Sequence, residues 1–437
     1  MNIEVTTHLY MDKVKQSNKN VTPYGGLNFI YDVISRSGID SYLDGQIGCR
    51  SILAQYSYSD VVLSLLGNTL TQGSFIADLE VMKAKFSEQV FHKIPSPDTV
   101  EYACQELKQP TIVRTTPKGV VHELNYINRF NETLIALAVK TKQLKVGKGG
   151  YTLDFDNVVI ENQKQDAKLS YKMVKGYHPN IAFIGRIPVH IENHNGNTPA
   201  RFEQKETLER CFNNLDKHGI KIEHFRADSA SYQKDVFDLA AKRAKYIYIR
   251  MMDFEDIRVE CAKIKDWATV KINYQTKEVA SIDYSPAKSE KPYRIVITRH
   301  KRKDQQIDLI SGCAYTYQGI VTSNYEMSER EIIEFYNGRG DSEKSNSYLL
   351  NDFNLHHLPF PDMDTNTVYM YLMAMCATLF EWIKTILTDN KVKGINMAMR
   401  TKALCFHYIT VASTFINHAR KKIICVFAGQ EYTILRV

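Results

Sequence analysis

No C-x-x-C pair occurs among the eight cysteines, which stand at 49, 104, 211, 261, 313, 376, 405 and 425. That absence removes the usual sequence signal for a zinc site or a disulfide framework. The opening residues, MNIEVTTHLYMDKVK, carry no apolar core segment, so no secretory leader is expected. The most apolar late stretch, VYMYLMAMCATLFEWIKTIL, is interrupted by Glu381 and Lys384 and reads as a buried helix, not a membrane span. Internal repeats and low-complexity tracts are also missing. Together these absences lead to the expectation of a reducing, cytoplasmic compartment.

What is present is ordinary in amount and informative in arrangement. The 437 residues suffice for two or three domains. A hydrophobic share of 44% allows a sizeable core and excludes global disorder. The formal charge of +7 fits a protein that meets a polyanion without requiring one.

The first part of the chain reads as helical. Leu27, Ile30 and Ile34 share one helical face, as do Ile127, Phe130, Leu134 and Leu137. VGKGG (146–150) breaks that pattern. From 151 the period falls to two: in YTLDFDNVVI, Leu153 and Phe155 point one way, Asp154 and Asp156 the other. NIAFIGRIPVHIE reads as one further strand, IKIEHFRAD as a strand ending at Asp228, and KYIYIR as another. Amphipathic helices separate these strands, which predicts an α/β sheet. Residues 255–325 alternate in several short stretches and read as a β-rich insertion. Helix resumes at SEREIIEFYNGRGDSEK, where Ser328 and Glu331 form an S-x-x-E capping box. The chain from about 365 reads as helical, with basic clusters such as HARKK.

Three acidic positions stand out: the Asp154/Asp156 pair on a polar strand face, Asp228 at a strand end, and Glu343 on the late helix. Each has an ordinary reading, as a solvated strand face, a turn or helix cap, and a surface helix. Their co-occurrence in the order strand, strand, helix suggests a converging oxygen-ligand set for hard divalent cations such as Mg²⁺ or Mn²⁺. Two such ions serve phosphodiester chemistry well. Tyr336, Arg339 and Glu343 follow at i, i+3 and i+7, so one helical face would carry a metal ligand and two phosphate contacts. Gly338 and Gly340 suit either a close approach of helix or DNA, or a local irregularity.

The order D…D…E, with the glutamate inside Y-x-x-R-x-x-x-E, resembles the YREK signature of DDE transposases from bacterial insertion sequences. TPYGGL, LDFD…QKQDA…KGYHP, RADS and YNGRGDSEK…LP resemble, in order, insertion-sequence family 1380. The resemblance implies an RNase H-like catalytic domain, a mixed sheet flanked by helices and interrupted by a β-rich insertion. Helical N-terminal and C-terminal regions would flank it. The implied organisation is 1–147 for DNA binding and assembly, 148–254 for the first part of the core, 255–325 for the insertion, 326–390 for the second part with the glutamate, and 391–437 for the C-terminal region.

The implied activity is Mg²⁺- or Mn²⁺-dependent cleavage at inverted-repeat ends, through two ions, and joining of the freed 3′-OH to target DNA. A homodimer would pair two ends, and the enzyme would associate with the bacterial nucleoid. The implied metal ligands are Asp156, Asp228 and Glu343, with Asp154 close behind Asp156 because Val158 replaces the hydroxyl residue of the family's D-x-D-x-T/S pattern. Ala230 stands where a glycine is expected, and Leu350 where a lysine is expected, with Lys344 as a substitute. Tyr336, Arg339 and Lys344 are the expected DNA contacts, joined by Arg226 in FRADS and Lys175 in KGYHP. The carboxylates alone would also permit a nuclease without strand transfer, and a non-catalytic DNA-binding descendant is a reading from another class.

Overall fold

The computed structural model describes residues 15, 20–86, 92–286, 291–301, 315–418, 421–429 and 432–436, without the side chains at 341–344, 417 and 422. In chain order the strands are β1 (Ile112–Thr115), β2 (Val121–Asn125), β3 (Tyr151–Asn157), β4 (Ile160–Glu161), β5 (Lys168–Leu169), β6 (Lys175–Tyr177), β7 (Asn180–Ile184) and β8 (Ile187–His194). They continue with β9 (Ile222–Ala227), β10 (Ala244–Arg250), β11 (Ala268–Ile272), β12 (Gln275–Tyr284), β13 (Tyr293–Lys301), β14 (Tyr315–Thr322), β15 (Ala412–His418) and β16 (Lys421–Phe427).

Eleven of these strands form one mixed sheet in the order β1-β2-β8-β7-β3-β9-β10-β14-β13-β12-β11. At its centre β3, β9 and β10 run parallel, while β7 and β8 fold back antiparallel. The parallel strands need crossovers, which the helices Gln204–Lys217 and Lys234–Arg243 supply. Alternation along the central strands sorts the faces. Leu153, Phe155, Phe225 and Ala227 join the core under the two crossover helices. Asp154, Asp156 and Arg226 therefore face the opposite side, as period two requires.

That opposite side is covered in two parts. The helix Glu329–Asn337 lays Ile332, Ile333 and Tyr336 against Tyr248, Val296 and Ile320. The 27-residue helix Met363–Asp389 forms the centre of a larger helical core with Leu27, Leu66 and Leu134. This helix is long and apolar enough to cross a membrane, yet 89% of its most apolar window is buried inside the protein. The two charges that interrupt it are satisfied internally. Lys384 Nζ donates to Glu381 Oε1 at 2.8 Å and to the Met397 carbonyl at 2.8 Å, and Tyr348 donates to Glu381 at 2.8 Å.

Several expectations change. NIAFIGRIPVHIE is two strands, because Gly185 takes φ 62° and turns the chain between β7 and β8. The first 147 residues, read as mostly helical, carry six helices among the described residues together with the β1–β2 hairpin, which extends the main sheet beside β8. The strands of the β-rich segment extend the main sheet, since β14 pairs directly with β10. The C-terminal region ends in the β15–β16 hairpin and not in helix. Ile416, Ile423, Ile424 and Val426 are the β-branched residues that favour it.

Candidate active site

The parallel register of β3 and β9 sets the site. Asp154 stands opposite Arg226, and Phe155 opposite Ala227. Asp156 follows Phe155 within β3, and Asp228 is the first residue after β9, so both aspartates come at the carboxyl ends of neighbouring strands. Ligand and catalytic sites in open parallel sheets characteristically lie at that end.

Asp154 and Arg226 pair with each other. Arg226 Nε and Nη2 donate to the two Asp154 oxygens at 2.7 Å each, and Nη1 donates to the Phe335 carbonyl at 2.7 Å. Both side chains are nearly buried, so the pair survives desolvation only because its donors and acceptors are bonded. The guanidinium also lies over the Phe335 ring, 5.0 Å from its centroid. Gly338 is small for the same reason: a Cβ there would stand 2.9 Å from Arg226 Nη1. Arg226, expected to contact DNA, is thus buried and ion-paired with Asp154 in this structure.

Asp156 is held from the helical side. Arg339 Nη2 donates to Oδ1 at 2.8 Å, Asn346 Nδ2 donates to Oδ2 at 2.8 Å, and the Asn157 backbone N–H donates to Oδ1 at 3.0 Å. Burial raises the Asp156 carboxyl above the usual aspartate range; Arg339 opposes that rise and the neighbouring Asp228 charge adds to it. Asp228 is half-buried and also caps the short 3₁₀ turn Ser229–Ser231, its Oδ1 accepting from the Ala230 N–H at 3.0 Å.

The late helix is broken where it was expected to be continuous. It runs from Glu329 to Asn337, tightens at Gly338 and Arg339 through an Arg339 N–H to Tyr336 carbonyl bond of 2.8 Å, and restarts at Gly340. The Ser328–Glu331 capping box fixes its start as expected, and Arg294 on β13 reinforces that start by bonding Glu329 at 2.7 Å. Tyr336 does not face open space. Its hydroxyl donates to the Ala227 carbonyl at 3.0 Å, and burial pushes the phenol up to about 12. It pins the helix to the residue before Asp228.

Glu343 lies in the helix Gly340–Asp352, four residues after Arg339 and three before Asn346. Its side chain and that of Lys344 lie outside the described residues. Lys175 is exposed on β6. Leu350, where a lysine was expected, packs against the helical core, as does Val158. Asn346 was missed by sequence reasoning. The available signal was its position seven residues after Arg339, which returns to one helical face.

Aspartate oxygens at a half-buried strand end are a hard donor set, and they fit a divalent cation better than any soft metal. A family model described as Transposase DDE domain group 1 matches residues 14–430. No curated protein matches the chain. Among solved structures, the chain is similar to one described as the cryo-EM structure of piggyBac transposase synaptic complex with hairpin DNA. The identity is 11%, the TM-score 0.45, and the match covers 88% of this chain and 79% of that one. With its family model spanning almost its whole length, the chain belongs to the Transposase DDE domain group 1 family and is a DNA transposase.

Proposed function

We propose that this transposase cuts DNA at the ends of an insertion sequence and joins the freed 3′-OH to target DNA, with Asp156, Asp228 and Glu343 as its metal-binding carboxylates. The carrying observation is that the β3–β9 register pairs Phe155 with Ala227, each one residue before an aspartate, and that Asp156 feels the Asp228 charge. The position of Glu343, between two residues that both bond Asp156, supports it as the third member. The order β8-β7-β3-β9-β10, with two antiparallel strands followed by a parallel group, supports an RNase H-like core.

Mg²⁺ or Mn²⁺, as two ions, is the expected cofactor; when bound, such ions supply Lewis-acid activation of the attacking oxygen and of the scissile phosphate. The chain's own residues prepare that chemistry. Arg339 and Asn346 fix both oxygens of Asp156 in place, which removes the entropy of orienting them later. Tyr336 holds the backbone at Ala227, so Asp228 is aimed by its strand and not by a loose loop. Lys175 and Lys344 are proposed to contact the DNA backbone.

The finer reading extends to a bacterial element of insertion-sequence family 1380, to a homodimer that pairs two ends, and to a cytoplasmic enzyme associated with the nucleoid. It keeps 1–147 as the DNA-binding and assembly region, 148–254 and 326–390 as the split core, 255–325 as the insertion and 391–437 as the C-terminal region. The test is metal-dependent cleavage and joining of duplexes carrying the element ends, with wild type beside Glu343→Ala. The proposal expects a variant that binds the ends but neither cuts nor joins them. Cleavage without joining by wild type would favour a nuclease, and binding without either would favour a non-catalytic descendant.

A further inference from the structure

Between the strand that carries Asp156 and its neighbour β7, the chain leaves the main sheet and builds a separate three-stranded arm, ordered β4-β6-β5. Its base is fastened firmly. Tyr177 donates to Asp166 at 2.5 Å, Met363 N–H to the other Asp166 oxygen at 2.7 Å, and Lys168 N–H to Asn195 at 2.8 Å. Two glycines permit the packing: a Cβ at Gly176 would stand 2.2 Å from the Ile160 carbonyl oxygen, and one at Gly196 2.3 Å from that of Lys168.

The tip is different. Ser170 N–H bonds the Val174 carbonyl at 2.8 Å and Met173 N–H bonds the Ser170 carbonyl at 3.0 Å, so the turn is ordered. Yet Leu169, Tyr171 and Met173 are 50, 69 and 75% exposed. Met173 sits at φ 61°, a conformation a long side chain adopts at a cost. A fastened base that displays apolar side chains is the pattern of a contact surface. The stretch from Lys168 to Lys175 holds three lysines and no acid; Lys168 is paired with Glu123 at 2.9 Å, and Lys172 and Lys175 stand beside the exposed apolar side chains, a combination that suits a polyanion with apolar faces. The tip is joined to the strand beside the site through His178. Tyr171 packs on His178 with ring centroids 5.6 Å apart, and His178 feels the Asp228 charge. Two residues after His178, β7 begins alongside the end of β3.

We infer that this arm is a DNA wedge: Tyr171 and Met173 stack against bases beside the scissile phosphate while Lys172 and Lys175 neutralise the adjoining backbone. The inference rests on the proposed placement of cleavage at Asp156 and Asp228. Aromatic stacking on an unstacked base is sequence-tolerant and strong enough to hold it out of the duplex. Apolar side chains inserted at a base step act in the same way.

The test uses the full chain and end-bearing duplexes with 2-aminopurine at successive positions around the cleavage site. Fluorescence is read on binding without divalent metal, so it does not depend on cleavage. Wild type is expected to brighten the probe at one or two positions, and Tyr171→Ala to abolish that signal. The same variant should bind fully paired ends about 5- to 150-fold more weakly, the range expected for one lost stacking contact. Tyr171→Trp should restore both, and a mismatch at the brightened position should rescue cleavage by Tyr171→Ala. An unchanged fluorescence pattern in Tyr171→Ala and Met173→Ala would overturn the wedge. So would a loss of self-association by these variants with the DNA signal intact, which would make the arm a contact with a second copy. Failure of the Asp156 and Asp228 assignment would appear separately, as persistent cleavage by their asparagine variants.

Discussion

Arg226 closes on Asp154 through two 2.7 Å hydrogen bonds across adjacent parallel strands. A buried pair broken on one side leaves an uncompensated charge. Arg226→Met or Asp154→Leu alone should therefore lower unfolding stability by about 3–5 kcal/mol. The double variant should recover much of that loss. Denaturant unfolding of the four proteins checks this, and additive losses would contradict the pairing.

Tyr336→Phe removes a single hydroxyl that holds the Ala227 carbonyl. The expected stability loss is about 0.5–1.5 kcal/mol, with a further cost for the carbonyl left unpaired. Because that carbonyl precedes Asp228, cleavage of end-bearing DNA should slow while affinity for the ends stays unchanged. A matching loss of affinity would instead return Tyr336 to a phosphate-contacting role.

Gly176→Ala forces a methyl group against the Ile160 backbone. Overpacking of this kind costs about 1–3 kcal/mol. The arm should loosen from its base, seen as faster amide exchange over 160–177 with exchange in β9 and β10 unchanged. Exchange unaltered in the arm would mean that the close approach is not needed.

Two groups on β8 should each contribute to the loss of stability in acid. His190 is fully buried, and burial drives its imidazole down to about 4. The unfolded chain then binds a proton between about pH 6.5 and 4 that the folded chain refuses, so stability drops as pH falls through that window. Burial pushes the Glu192 carboxyl up, but hydrogen bonding from His194 and the charge of Arg210 outweigh it and hold the group at about 2. Its contribution is complete above about pH 4.5 and is lost as pH falls toward 2. His190→Leu should remove one proton's share of the loss in the upper window, and Glu192→Gln one proton's share in the lower window. Each proton corresponds to a slope of about 1.4 kcal/mol per pH unit within its window, measurable by urea unfolding at several pH values.

The alternation of Leu153 and Phe155 with Asp154 and Asp156 was readable in four letters, as were the helix start at Ser328 and the β pattern after residue 255. Local periodicity and capping need only neighbouring residues, so a sequence displays them. Arg226 pairs with Asp154 from 72 residues away, through a strand register that no local pattern encodes. That distance explains why both were read as site residues. The tightening at Gly338 was equally hidden: the glycine signalled a close approach, and the group that approaches is the protein's own Arg226. In the C-terminal hairpin, neither ASTFINH nor KKIICVF alternates at period two, so the strand pairing of the two segments had no local periodic signal.

The most direct measurement compares Asp156→Asn with Asp154→Asn for cleavage of end-bearing DNA in Mg²⁺ and Mn²⁺, alongside thermal unfolding and end binding. Asp156→Asn should fold, bind the ends and fail to cut in either metal. Asp154→Asn should melt earlier, yet cut in proportion to its folded fraction. Cleavage by Asp156→Asn at the wild-type rate, with loss confined to a well-folded Asp154→Asn, would contradict the account.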